Sequence, residues 1–170
     1  MRLKRRKKMM INIKSIQEVE EMKPANRLVG NVLDAMYDFI RPGISTLDIN
    51  NEVERIIREA GGIPSFLGYG SPPFPGSACV SVDHEVVHGI PSGSRVLEEG
   101  SIITVDVGAI VNGWHGDAAR TYAVGTIEPK LEALLRYTEE SFWAGFAQAR
   151  PGNRLGDIQH AIEQVGNRHH

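Results

Sequence analysis

The chain has 170 residues, of which 41% are hydrophobic and 24% charged, a composition typical of one globular domain with a real core rather than of a disordered chain. No apolar run approaches the roughly 20 residues that span a bilayer, and the N-terminus lacks the apolar segment of a secretory signal, so we expect no membrane association. The single cysteine, Cys79, excludes an internal disulfide, and we expect a cytoplasmic protein.

The formal net charge of -2 conceals a basic N-terminus. The basic residues there are Arg2, Lys4, Arg5, Arg6, Lys7 and Lys8. Because no aromatic residue is interleaved with them, residues 1–10 are predicted to be a flexible, solvated tail rather than a site for a specific nucleic acid. A contact of this tail with the ribosome is the alternative. Met9 and Met10 also leave the start of translation open.

The N-terminal part of the chain predicts two helices. Ser15-Ile-Gln-Glu18 has the form of a capping box, which begins a helix that ends at Arg41-Pro-Gly43, and Pro24 is expected to break or kink this helix. Thr46 is the expected N-cap of the second helix, which ends at Gly61-Gly62. Its apolar face has helical spacing and comprises Ile49, Val53, Ile56, Ile57 and Ala60.

A loop and a group of strands are predicted in the middle of the chain. Residues 63–77 are rich in proline and glycine, which predicts an ordered loop without regular structure. Its aromatic residues Phe66, Tyr69 and Phe74 either cover the core or wall an apolar pocket. Short apolar segments then predict strands at 79–82, 86–88, 102–111 and 120–124, and a helical pattern returns after Glu128-Pro129.

A repeat with an offset of 109 positions organises the chain. Arg41-Pro-Gly43, Asp48-Ile49 and Val53-Glu54 recur as Arg150-Pro-Gly152, Asp157-Ile158 and Ile162-Glu163. Self-similarity at a fixed offset is typical of a duplicated architecture, although a chance recurrence of a helix-linker device is the alternative. We therefore expect residues 137–170 to repeat residues 28–61, and residues 11–170 to form one domain with a complete first half and an incomplete second half.

An acidic hairpin is the main functional signal of the sequence. Asn112-Gly113 favours a two-residue type I′ turn. In that register Gly108 lies opposite Asp117 and Asp106 lies opposite Ala119. Both carboxylates then project from the same face of the sheet as diagonal neighbours, with their Cα atoms about 7–8 Å apart.

Two carboxylates that share a half-buried face repel each other unless a cation or a shared proton compensates them, and no lysine or arginine lies between these two. Divalent metals resolve the repulsion, and Mn, Co, Fe or Zn suits such ligands. The alternative interpretation is that Asp106 ends a strand and Asp117 is a turn residue. His88 ends an apolar segment, where its side chain can overhang a pocket or be structural. His115 is expected on the same face as the aspartates, but nearer the turn, in a supporting or surface position.

A family resemblance rests on five segments taken together. They are Phe66-Leu-Gly-Tyr69, Cys79-Val-Ser-Val82, His88-Gly-Ile-Pro91, Val105-Asp-Val107 and His115-Gly-Asp117, in this order. With this combination the chain resembles a type I methionine aminopeptidase from about Met10 to Val165. The resemblance implies an α+β pita-bread fold, in which two pseudo-symmetric halves with outer helices form a curved antiparallel sheet around two divalent metal ions.

The resemblance also implies roles for single residues. Asp106 and Asp117 match metal-ligand aspartates of the family, of which the second bridges both metals. His88 matches a histidine that contacts the substrate and helps to stabilise the transition state. The positions that match the lining of the family's methionine pocket are Phe66, Tyr69, Phe74 and Cys79. Phe66 replaces a commonly smaller cysteine, and the Ser71-Pro-Pro-Phe74 loop is longer than usual.

The implied activity is metal-dependent removal of the N-terminal methionine from nascent polypeptides when the next residue is small. The family's remaining ligands, a histidine in a His-Gly-x-Gly motif and two glutamates, belong to the second half, and no such motif follows Gly152. We therefore expect the chain as given to be an inactive part of a longer enzyme. The alternatives are a noncatalytic pita-bread binding module and another pita-bread peptidase, such as a proline dipeptidase.

Overall fold

The structure, a computed structural model, describes residues 11–169, so the predicted basic tail at 1–10 lies outside the described residues. The described chain has the mixed α and β content that the sequence predicts. Its elements, in order, are α1 (Ile16–Phe39), α2 (Thr46–Glu59), β1 (Ile63–Pro64), β2 (Ala78–Val82), β3 (Ile102–Val111), β4 (Trp114–Ala123), α3 (Pro129–Phe146) and α4 (Leu155–Arg168).

Helix α1 begins at the predicted capping box. The Ser15 hydroxyl accepts a hydrogen bond from the Glu18 N–H at 3.2 Å, and the Glu18 carboxylate accepts one from the Ser15 N–H at 2.7 Å. Of the predicted break or kink at Pro24, the break does not occur, because α1 continues through this residue. The buried stripe of α1 starts at the very next residue, Ala25, and packing of that stripe holds the helix together beyond the proline.

Helix α2 begins one residue earlier than predicted, because Ser45 rather than Thr46 is the N-cap. The Ser45 N–H donates to the Asp48 carboxylate at 2.8 Å, and the Asp48 N–H donates back to the Ser45 hydroxyl at 3.1 Å. Thr46 uses its hydroxyl elsewhere, as the acceptor of the Ser92 N–H at 2.9 Å. The predicted apolar face is largely confirmed, since Ile49, Val53 and Ile57 are buried, while Ile56 is half-buried and Ala60 exposed.

The sheet is antiparallel and is built around β3. Strands β1 and β2 pair with one edge of β3, and β4 pairs along its other edge. Strand β1 is a correction, because it gives regular structure to the start of the region predicted as a loop. Strand β4 begins at Trp114, well before the predicted segment at 120–124, because it pairs with β3 directly from the turn.

The strand predicted at 86–88 does not form. His88 has a φ of +62°, which an extended strand cannot accommodate. Instead, this segment is attached to β2 on its C-terminal side through Gly89: its carbonyl accepts a hydrogen bond from the Val80 N–H at 2.9 Å, and its N–H donates to the Ser81 hydroxyl at 3.0 Å. A Cβ at Gly89 would collide with the Val80 carbonyl, so only glycine permits this approach.

The core lies between the helices α1 and α2 and one face of the sheet. The buried strand residues on this face include Ile103, Val105, Val107 and Ala109. Helix α1 approaches β4 so closely that a Cβ at Gly116 would lie 2.5 Å from the Ala25 carbonyl carbon. The helices therefore cover one face, and the other face of β4 remains exposed at Asp117 and Ala119.

Helices α3 and α4 reproduce the α1–α2 junction at the offset of the sequence repeat. Helix α4 begins and ends 109 positions after α2, and the linker glycines Gly43 and Gly152 have φ angles of +91° and +95°. The Arg154 N–H donates to the Asp157 carboxylate at 2.6 Å, as the Ser45 N–H does to Asp48. None of the helices within residues 11–169 combines the length and the apolarity needed to cross a membrane.

Candidate metal centre

The β3–β4 hairpin has the predicted register. Gly108 pairs with Asp117, and Asp106 pairs with Ala119. The turn residues Asn112 and Gly113 have φ angles of +52° and +82°, the positive values that a type I′ turn requires. Because cross-strand partners project to the same side, Asp106 and Asp117 lie on one face, the face opposite to helix α1.

Rows of residues run across this open face and define the surroundings of the two aspartates. Cys79 of β2 pairs with Asp106, which pairs with Ala119. In the next row, Ser65 donates its N–H to the Gly108 carbonyl at 2.9 Å, and Gly108 pairs with Asp117. The Cys79 thiol therefore lies beside Asp106 in one row, and Gly108, which has no side chain, lies beside Asp117 in the next.

The electrostatics of the site identify the groups that lie near Asp106. Burial raises the pKa of Asp106, and the negative charge of Asp117 raises it further, whereas the positive charge of His88 lowers it. Burial also raises the pKa of Cys79 to about 11, with further contributions from the charges of Asp106 and Asp117. Asp106 thus lies within electrostatic reach of three other predicted site residues, Asp117, His88 and Cys79.

His88 occupies the rim of this cluster. Its side chain is exposed, and its backbone is left-handed just before Gly89, which is hydrogen-bonded to both Val80 and Ser81 of β2. Sequence reasoning missed Ser81 as a supporting residue. Its alternation with Cys79 along β2 was the available signal, because it places the hydroxyl on the face of the aspartates.

Phe66 lies directly against the aspartate face. A Cβ at Gly108 would lie 2.6 Å from the Phe66 Cε1 atom, so the ring occupies the space that the glycine leaves. Since Gly108 is the cross-strand partner of Asp117, the half-buried Phe66 ring forms an apolar wall next to that carboxylate.

Tyr69 and Phe74 belong to the same loop as Phe66 but are less directly placed. Backbone hydrogen bonds close this loop: the Tyr69 N–H donates to the Phe66 carbonyl at 2.9 Å, and the Phe74 N–H donates to the Tyr69 carbonyl at 2.8 Å. The Tyr69 side chain is 78% exposed and Phe74 is half-buried. Both residues are connected to the site by backbone hydrogen bonds that lead to Phe66. Among residues 11–169, the Tyr69 hydroxyl makes no hydrogen bond to either aspartate.

His115 lies on the aspartate face, as predicted, and next to the turn. It pairs with Ile110, is exposed, and its Nδ1 atom is 3.1 Å from the Ser65 hydroxyl. Sequence reasoning missed Ser65, because nothing in the local pattern indicates that a loop residue 50 positions away reaches this histidine.

The chemistry of the site fits part of a divalent metal centre. Two neighbouring carboxylates, one of them with a pKa raised by burial and by the other's charge, are hard oxygen ligands that a cation stabilises. Within the described part of the chain, however, no group of three or more His, Cys, Asp or Glu side chains is arranged to hold a metal. The described residues 11–169 therefore offer two neighbouring carboxylates, fewer ligands than a protein metal centre ordinarily has.

Comparisons with known proteins agree with this chemistry. A family model described as metallopeptidase family M24 matches residues 20–170. A methionine aminopeptidase of Clostridium acetobutylicum is 48% identical over 155 residues, which cover 91% of this chain and 61% of the relative. The chain thus spans about 61% of the length of this curated relative.

Solved structures give the same result. The crystal structure of a methionine aminopeptidase from Rickettsia prowazekii superposes with a TM-score of 0.90 at 35% identity, covering 94% of this chain and 63% of that chain. The prolidase from Pyrococcus furiosus superposes with a TM-score of 0.80 at 21% identity, covering 92% of this chain and 44% of that chain. At that identity, the second likeness concerns the fold alone.

Proposed function

Because the chain belongs to metallopeptidase family M24, we propose that it serves an aminopeptidase that removes the N-terminal methionine from nascent polypeptides when the next residue is small. Its fold is the pita-bread fold, over the part that the chain spans. The observation that carries the proposal is the pair of carboxylates, Asp106 and Asp117, on the open face of the hairpin. The names of the relatives narrow the family to methionine aminopeptidases.

In this proposal, Asp106 and Asp117 would hold two divalent metal ions. A bound divalent metal supplies Lewis acidity toward a peptide carbonyl. Mn, Co, Fe and Zn all suit the donor set. The raised pKa of Asp106 supports this assignment, because a bound cation would offset the repulsion between the carboxylates of Asp106 and Asp117.

The other residues of the face bind and orient the substrate. His88, exposed at the rim, is placed to hydrogen-bond the peptide group next to the scissile bond. Phe66 offers an apolar surface for a methionine side chain, and such sulfur–aromatic contacts are favourable. Because the Cys79 pKa is raised to about 11, its thiol is protonated at neutral pH and is a small apolar part of the same pocket. Tyr69 and Phe74 complete the pocket's outer wall.

Two further elements of the proposal concern the cellular setting. Because the proposed substrate is the N-terminus of a nascent chain, the proposed location of the protein is the cytoplasm. The basic residues within positions 1–10 offer a contact with the acidic surface of the ribosome.

The test is methionine release from a Met-Ala-Ser peptide in the presence of Mn²⁺ or Co²⁺. It uses the longest form of the protein that its gene encodes, as wild type and as Asp106→Asn and Asp117→Asn. We expect the wild type to release methionine. In each variant, the rate of methionine release should fall at least about a hundredfold, and the bound metal should be lost. Metal content is measured by plasma mass spectrometry.

The matched control is Asp38→Asn, which removes an exposed carboxylate of α1 and should leave both readings unchanged. An Xaa-Pro dipeptide serves as the competing substrate. Release of the residue before proline instead of methionine would contradict the proposal, as would an Asp106→Asn protein with full metal content.

A further inference from the structure

A side-chain hydrogen bond joins the two segments that form the aspartate site. The Ser65 hydroxyl, just after β1, lies 3.1 Å from Nδ1 of His115, the second residue of β4. The two residues are 50 positions apart, so this bond links the loop that contains Phe66, Tyr69 and Phe74 to the β3–β4 hairpin rather than stabilising either one locally. It is the only side-chain hydrogen bond between these two segments within residues 11–169.

A backbone hydrogen bond next to it has the same effect. The Ser65 N–H donates to the Gly108 carbonyl at 2.9 Å, so Ser65 is attached to β3 by its backbone and to β4 by its side chain. Its neighbour Phe66 has its ring against Gly108. Because the two residues are adjacent, the position of the ring follows the position of the Ser65 backbone.

We propose that Ser65 and His115 form a clasp that fixes the Phe66 ring over Gly108 and thereby sets the width of the pocket for the substrate's first side chain. The proposal rests on the proposed function and adds two positioning residues to it. Neither residue acts on the scissile bond. Their effect reaches the substrate through the Phe66 ring.

A catalytic serine–histidine pair is a less suitable explanation of the same contact. Such a pair needs a third group that orients the histidine, and among residues 11–169 no carboxylate is hydrogen-bonded to His115. Asp117 lies on the same face two residues further along β4, but it faces Gly108, one row away. The contact therefore positions the Phe66 ring, and through the ring it affects which substrate side chain fits the pocket.

The experiment compares Ser65→Ala, His115→Phe and the double variant with the wild type in its full-length form. The substrates are Met-Ala-Ser and Leu-Ala-Ser, which differ in the shape of the first side chain. Losing the clasp should raise KM for the methionyl peptide about three- to tenfold with kcat within about twofold, and should reduce the methionine preference by a similar factor. The double variant should be no worse than either single variant, because both remove the same bond.

His115→Asn is the rescue variant, because its side-chain amide places a hydrogen-bonding atom near the position of Nδ1. It should restore the wild-type KM and preference. Thr121→Val is the matched control: it removes the hydroxyl that is 2.8 Å from the Thr104 hydroxyl, a pair on the same face but distant from Phe66. This variant should keep the wild-type preference.

Hydrogen exchange of the Ser65 amide provides a measure that does not depend on activity. We expect faster exchange in Ser65→Ala and His115→Phe, and wild-type exchange in His115→Asn. Unchanged exchange, additive losses in the double variant, or a fall in kcat with unchanged KM would each overturn the clasp. If the wild type releases no methionine, the proposed function fails, and the exchange rates alone then decide whether the clasp exists.

Discussion

The two helix pairs of this chain have the same local design and different surroundings. Helices α1 and α2 bury six and five residues, respectively, because the sheet covers them. Helices α3 and α4 pack on each other and bury one residue each, Gly145 and Val165. The large aromatic residues of α3 are exposed, with 58% for Phe142, 55% for Trp143 and 62% for Phe146.

This difference shows which features of a helix pair are local and which depend on a partner. The linker glycine, the acidic residue that accepts the N-cap N–H, and the 14-residue length of the second helix occur in both pairs. The buried apolar area occurs in only one. Since most helical stability in proteins comes from packing of an apolar face, we expect the α1–α2 half to carry most of the chain's stability.

The largest expected effect comes from one substitution made at equivalent positions of the two pairs. Ile49→Ala removes a fully buried side chain and should lower the free energy of unfolding by about 2–5 kcal/mol. Ile158→Ala, at the same position of the repeat, removes a half-buried side chain and should cost about 1 kcal/mol. Urea unfolding followed by circular dichroism measures both. Equal losses would contradict the comparison, because they would mean that other elements bury α3 and α4 to the same extent as α1 and α2.

Two glycines sharpen the comparison by their opposite expected signs. Gly116→Ala would push a Cβ to within 2.5 Å of the Ala25 backbone and should destabilise the chain by about 1–3 kcal/mol. Gly166→Ala in α4 meets no atom within 4 Å and should stabilise it by up to about 1 kcal/mol through helix propensity. Thermal unfolding of the two variants checks the signs. A stabilising Gly116→Ala would mean that α1 does not press on β4.

The N-caps of α2 and α4 should differ by a smaller amount. Ser45→Ala removes a hydroxyl that accepts the Asp48 N–H and should cost about 1 kcal/mol. Arg154→Ala keeps the backbone bond to Asp157 and should change stability by less than about 0.5 kcal/mol. The same urea titration compares them, and a larger loss for Arg154→Ala would contradict the assigned difference in capping.

The smallest expected effect is a difference in the pH dependence of stability that Asp106 in β3 and Glu140 in α3 produce. Burial and the charge of Asp117 raise the pKa of Asp106 in the folded chain, so the unfolded chain loses this proton at lower pH. Folded-state stability therefore falls as the pH rises from the ordinary carboxyl range to the raised pKa, and remains lower above it. Glu140 in α3 has the opposite sign, because a hydrogen bond from Arg168 lowers its pKa. Its contribution is present above the ordinary carboxyl pKa and is lost as the pH falls through the lowered one.

Unfolding of Asp106→Asn as a function of pH tests the sign. Without metal, the variant should be more stable than the wild type at neutral pH, and the difference should vanish in acid. Added Mn²⁺ should stabilise the wild type and leave the variant unchanged. A variant that is less stable at neutral pH without metal would contradict the burial argument for Asp106.

Much of the architecture follows from local sequence signals. The Asn112-Gly113 turn determines the pairing of every residue in the hairpin and therefore the common face of Asp106 and Asp117. The same holds for the capping box at Ser15 and for the helices that the repeat predicts. These features depend on residues close together in the chain, which is why reasoning from the sequence finds them.

The remaining features depend on distant contacts. Val86 and Val87 have the composition of a strand, yet they are 85% and 61% exposed, because the backbone of Gly89 attaches to β2 and turns the segment away. Strand β1 exists because β3 extends far enough to pair with it. The link between Ser65 and His115 likewise has no local signature. Such contacts become visible only when the sheet is assembled.

The pairing of β4 has a consequence for solubility. Among the described strands, β4 pairs only with β3, so its second edge presents unpaired backbone donors and acceptors over ten residues. Unprotected edges of this kind recruit strands from other molecules, and charged side chains are a common deterrent. Asp117 and Arg120 are the charged residues that β4 offers for this purpose. We therefore expect loss of Asp117 to increase self-association, in addition to removing one of the two paired carboxylates.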